Sequence, residues 1–71
     1  MFIKLTNASP NYANKPIILK KELIVSVYEG TVAEEVDGVV TEKPVTCVYG
    51  PPHGEWQVME SIDQVFKLIN K

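Results

Sequence analysis

The sequence predicts an α+β domain that is mostly β: a small antiparallel sheet of five or six strands with one C-terminal helix. Three observations lead there. β-branched residues crowd the short apolar runs at 17–19 (IIL) and 23–27 (LIVSV), and branching at Cβ suits a pleated strand better than a helix. The quartet Val36-Asp37-Gly38-Val39 contains an Asp-Gly pair, which takes the positive φ angles of a type I′ hairpin turn at low cost. The last stretch, 61–71 (SIDQVFKLINK), has apolar residues at helical spacing.

The elements follow in order. FIKLT (2–6) is short, apolar at three of five positions, and reads as a strand. NASPNYANKP (7–16) is rich in asparagine and proline and reads as a loop. In 17–30 the triplet Lys20-Lys21-Glu22 separates two apolar runs, giving two strands with a kink or tight turn between them. Residues 31–50 form a hairpin about Asp37-Gly38, with Val32, Glu34 and Val36 alternating with Ala33 and Glu35 as in an exposed ribbon. Pro44 has no amide proton, so it belongs at an edge or a bulge. YGPPHGEW (49–56) reads as a stiffened eight-residue hairpin connection with Trp56 anchored in the core, and EWQVME (55–60) resumes the strand pattern.

The helix carries the most local signals. Ser61 and Gln64 can form a capping box. Ile62, Val65, Phe66 and Ile69 stand at i, i+3, i+4 and i+7 on one face. Asp63 lies in the first turn and Lys67 and Lys71 lie late, as the helix dipole prefers.

The order of MFIKLT, KPIILKKELIVSV and WQVMESIDQVFKLI resembles the small flagellar proteins of the FlbD type, also called the SwrD group of swarming-motility proteins. In that group a first strand leads to a strand, a short polar turn and a further strand, then a hairpin, then a strand-to-helix ending. Val58, Glu60, Ser61, Val65 and Ile69 match that ending here. The ending also resembles the N-terminal half of LytTR DNA-binding domains. The resemblance implies a flagellar accessory role and brings no catalytic residues with it. Two stretches depart from the pattern: an acidic hairpin at 30–44 replaces a tight turn, and 49–56 replaces a short last hairpin. Both extend loops, where function tends to sit.

At 71 residues the chain suffices for a single small domain, 1–71. A chain of this size buries roughly 60% of its unfolded surface, so its core is thin and an oligomer interface would supplement it. Seven lysines, no arginine and a net charge of −2 argue against nucleic-acid binding, which needs clustered cations and the arginine fork. The single Cys47 cannot form an internal disulfide. The first residues lack the charged and apolar segments of a signal peptide, and no apolar run approaches the ~20 residues of a membrane span. The expectation is a cytoplasmic protein without membrane insertion.

Candidate sites are few. His53, Cys47 and Glu55 are a conceivable cluster for metal binding or nucleophilic catalysis, but their spacing matches no known ligand set and there is no second histidine. An exposed loop histidine and a buried free cysteine are the simpler readings. The acids Glu34, Glu35, Asp37, Glu42 and Glu29 form either a solvated ribbon that discourages edge pairing or a docking surface for a basic partner. Tyr49, Pro51, Pro52 and His53 form either a stiff connection or a preorganised contact loop. GPPHG is no phosphate cradle, because its prolines remove two amides. The sequence therefore points to a non-enzymatic interaction module without cofactor or metal. Its partner would be another protein, or a second copy paired through free strand edges. A bacterial or phage accessory protein fits that description. The residues expected to make contact are Tyr49, Pro51, Pro52, His53, Glu34, Glu35 and Asp37.

Overall fold

The computed structural model describes residues 1–71. Its elements are β1 (Phe2–Thr6), β2 (Pro16–Lys20), a 3₁₀ turn (Lys21–Leu23), β3 (Ser26–Val36), β4 (Val39–Gly50), β5 (Gly54–Val58) and α1 (Ile62–Ile69). The protein is mostly β with one C-terminal helix.

The expected single sheet is instead two antiparallel ladders, β1-β2 and β3-β4-β5. One bridge, Asn7 to Val58, joins them. Its bonds run from the Met59 amide to the Thr6 carbonyl and from the Ala8 amide to the Gln57 carbonyl, each 2.9 Å. The ladders part there because the chain after Ala8 turns away into the 7–15 loop, so β1 offers β5 no further backbone.

The register of the long hairpin follows from its turn. Asp37 (φ 52°) and Gly38 (φ 80°) take the left-handed angles of the Asp-Gly turn, and Val36 pairs with Val39. Pairing then continues without a bulge to Ser26 and Tyr49. β5 pairs only with residues 46–50 of β4. At Pro44, therefore, β4 is an edge strand, which a residue lacking an amide proton tolerates.

The main core is Ile3 and Leu5 from β1, Leu19 from β2, Val48 from β4, Val58 from β5 and Val65 from α1. It lies between the β1-β2 ladder, the helix and one face of the three-stranded ladder. Trp56 is half-buried and packs against this cluster. On the opposite face of β4, Val45 and Cys47 are covered by Ala8 and Val32. The long hairpin projects from this body, and the molecule measures 41 × 20 × 20 Å.

Three local expectations are corrected. The run at 23–27 enters β3 only at Ser26, because Leu23 closes the 3₁₀ turn. The strand expected at 55–60 ends at Val58, where the chain turns toward the helix cap. Phe66 is 64% exposed. The capping box forms as expected, with the Gln64 amide donating to Ser61 Oγ and the Ser61 amide to Gln64 Oε1. The buried stripe, however, runs through Val65, Leu68 and Ile69, and at about 100° per residue Phe66 falls to its side.

Candidate functional site

The residues expected to make contact lie in two places. Tyr49, Pro51, Pro52 and His53 are at one end of β4, and Glu34, Glu35 and Asp37 are at the other. The strand between the two turns has 12 residues, each rising about 3.4 Å, so β4 spans most of the 41 Å length. No small ligand reaches both groups.

At the first end the connection is three residues, not eight. β4 runs through Gly50 and β5 begins at Gly54, which pair with each other. The His53 amide closes the turn on the Gly50 carbonyl at 3.0 Å, and the Pro51–Pro52 peptide is cis. Pro51, Pro52 and His53 are all exposed. Gly50 is required for close approach: a Cβ there would meet the Leu23 carbonyl oxygen at 2.6 Å.

Cys47 and His53 are not placed as a catalytic pair. Cys47 is 4% exposed and pairs with Gln57, three pairs inward from the turn that holds His53. Burial pushes its thiol up from the ordinary value, and the neighbouring Glu55 carboxylate adds to the effect, which is the opposite of nucleophile activation. No group of three histidine, cysteine or acidic side chains is placed to hold a metal ion.

Around Cys47 the sheet assembles a group that the sequence reading missed. Strand alternation puts Tyr28, Cys47, Tyr49 and Glu55 on the face opposite Val48 and Trp56. The Tyr28 hydroxyl donates to the Glu55 carboxylate, so a β3 side chain reaches a β5 side chain across β4. That bond, with some burial, pushes the Tyr28 hydroxyl up to about 12. The Asp37-Gly38 turn held the signal: pairing counted back from it sets Tyr28 opposite Cys47.

At the other end the hairpin arm stands clear of the body. Every residue from 33 to 44 is exposed. Val36, Val39 and Val40 are 54%, 60% and 66% exposed, and Glu34, Glu35, Asp37 and Glu42 lie among them. A cleft of 390 Å³ opens at the root of the arm, between Ala8, Pro10 and Ala13 of the loop and Val32, Glu34 and Lys43 of the ribbon. No helix is long and apolar enough to cross a membrane.

Comparison of the chain with protein-family models, curated proteins and solved structures finds no match.

Proposed function

We propose that this chain is a non-enzymatic protein-interaction module whose principal contact surface is the hairpin arm. One observation carries the reading. The arm holds three large apolar side chains in water, Val36, Val39 and Val40, on a ribbon that touches no core beyond Val32. Val36 and Val39 pair on one face beside Glu34, and Val40 pairs with Glu35 on the other, so each face of the projecting element sets apolar side chains next to acids, as interfaces do. The acids set the sign of the partner, which is basic. The three-residue turn at 51–53, stiffened by two prolines, is a lesser contact surface at the far end.

A pull-down from lysate of the source organism tests this with three baits. The first is the wild type. The second carries Glu34→Lys with Glu35→Lys. The third has residues 51–53 replaced by an Asn-Gly turn. Capture by the first and third, and loss with the second, is the expected result. Capture that survives the arm substitutions overturns the reading.

The resemblance to the FlbD and SwrD group supports a second reading, a flagellar accessory role. It rests on the strand-turn-strand opening and the capped helix after Glu60. Unchanged swarming after deletion of the gene would overturn it.

A further inference from the structure

We propose that the acidic arm of one copy docks, head to tail, on the lysine-flanked outer face of the β1-β2 ladder of a second copy. The inference rests on the reading of the arm as a contact surface and names its partner.

Charge is divided along the chain. Residues 29–43 carry five acids (Glu29, Glu34, Glu35, Asp37 and Glu42) against one lysine, Lys43, a net −4. The rest carries six lysines against Glu22, Glu55, Glu60 and Asp63, a net +2, and the two parts give the formal −2 of the whole. Three of these four body acids are engaged. Glu22 pairs with the N-terminal ammonium at 2.8 Å, Glu55 accepts from Tyr28, and Glu60 accepts from Thr6. That ammonium pair is the only ion pair with an acidic side chain, so no lysine contacts an aspartate or glutamate; Lys21 Nζ donates instead to the Lys71 main-chain oxygen at 2.9 Å. Both signs of charge are left without an intramolecular partner.

The two surfaces also match in kind. Ile3, Leu5 and Leu19 of the β1-β2 ladder are buried in the core. Alternation therefore places Phe2, Lys4, Ile18 and Lys20 on the outer face. Phe2 pairs with Lys20 and Lys4 with Ile18, so apolar and cationic side chains interleave there. Phe2 is 68% and Ile18 65% exposed. The arm presents the same mixture with the opposite sign on the face that carries Val36 and Val39 with Glu34, while Val40 lies with Glu35 and Glu42 on its other face. Complementary potential around an apolar centre fixes register and suppresses wrong partners. A symmetric pairing of two β3 edges would instead set one acidic strand, with Glu29, Glu34 and Glu35, against a second copy of itself, and like charges across strands repel. Two different surfaces joined in this way form a heterologous contact, which propagates into a ring or an open chain.

Sedimentation velocity on the full chain, over a range of concentrations, tests the proposal. The wild type should form species larger than a dimer at low salt. They should dissociate at about 1 M salt, where the Debye length is about 3 Å. Glu34→Lys with Glu35→Lys, or Lys4→Glu with Lys20→Glu, should each weaken association about tenfold or more. All four substitutions in one chain exchange the two signs and should restore it. Far-UV circular dichroism identifies the variants that remain folded. Failure of a folded four-fold variant to associate overturns the proposal, as does a discrete dimer insensitive to either reversal. A wild type that stays monomeric at low salt, while its arm still captures a partner in the pull-down, overturns self-docking and leaves the arm as a contact surface for another protein.

Discussion

Glu60 grips Thr6 twice. One carboxylate oxygen accepts from the Thr6 backbone amide and the other from Thr6 Oγ1, each at 2.9 Å in a partly buried setting. Glu60 stands just before the helix cap and Thr6 ends β1. The pair thus ties the β1-β2 ladder to the helix beside the one bridge that joins the ladders. Glu60→Ala leaves the Thr6 amide without its acceptor and should cost about 2 kcal/mol, since bonds to a charged group and stranded donors lie at the upper end of hydrogen-bond energies. Thr6→Val keeps the amide bond and should cost about half as much. The shift of the urea midpoint measures both, and equal stability of Glu60→Ala and wild type would show that this tie carries nothing.

Burial makes opposite predictions for two large apolar residues, Leu5 of β1 and Phe66 of α1. Leu5 is 1% exposed and Phe66 is 64% exposed. Leu5→Ala empties a site in the main core and should destabilise by about 2–5 kcal/mol. Phe66→Ala should stay within about 0.5 kcal/mol, the range of ordinary surface substitutions. Thermal unfolding of the two variants side by side decides it. A large loss at Phe66 would mean that this ring is covered in solution.

Gly50 is tested by the smallest change available. A Cβ there meets the Leu23 carbonyl oxygen at 2.6 Å and Trp56 Cζ3 at 3.3 Å. The carbonyl belongs to the backbone of the 3₁₀ turn and cannot rotate away. Gly50→Ala should therefore cost about 1–3 kcal/mol by overpacking. Because Trp56 is the sole tryptophan, the variant should also change the native fluorescence spectrum. An unshifted spectrum with wild-type stability would show that the contact relaxes freely.

Alkaline pH addresses the Tyr28 to Glu55 bond. The hydroxyl is pushed up to about 12 in the folded chain, against about 10 for an unfolded tyrosine. A raised acid is held in its neutral form by folding. The bond's contribution is thus complete below about pH 10 and is lost as pH rises through about 12. Ultraviolet titration should show a phenolate phase near pH 12, above the ~10 of an unfolded tyrosine. Glu55→Gln should bring that late phase down. If the late phase persists in that variant, the carboxylate is not its cause.

Much of the architecture was legible in local signals. The Asp37-Gly38 turn, the break at Lys20-Lys21-Glu22 and the Ser61 cap each depend on backbone preferences or on hydrogen bonds within a few residues. Such features need no knowledge of the rest of the fold. The edge position of Pro44 was legible for the same reason, because a missing amide proton constrains pairing wherever the strand lies.

The candidate site was legible only in part. The acids and valines of the arm could be recognised as an exposed ribbon, because nothing from elsewhere in the chain packs on them. The stretch 49–56 was misread as one long connection. Gly50 and Gly54 look like loop residues, yet they pair with each other, and a side chain at Gly50 would run into the Leu23 carbonyl.

By itself, then, the sequence determined the β-rich class, the capped helix, the Asp37-Gly38 turn and the break at Lys20-Lys21-Glu22, and that charge is segregated toward one hairpin. Only the tertiary structure decided that the strands form two ladders joined at Asn7 and Val58 and that Phe66 faces out while Leu68 packs in. It alone placed Tyr28, Cys47 and Glu55 together, and it set the two expected contact regions at opposite ends of β4. The physical reason is range. Turns and caps are settled by neighbours a few residues apart. Sheet partition, helix rotation and the meeting of side chains across three strands depend on contacts between residues distant in the chain, and these form only as the core closes.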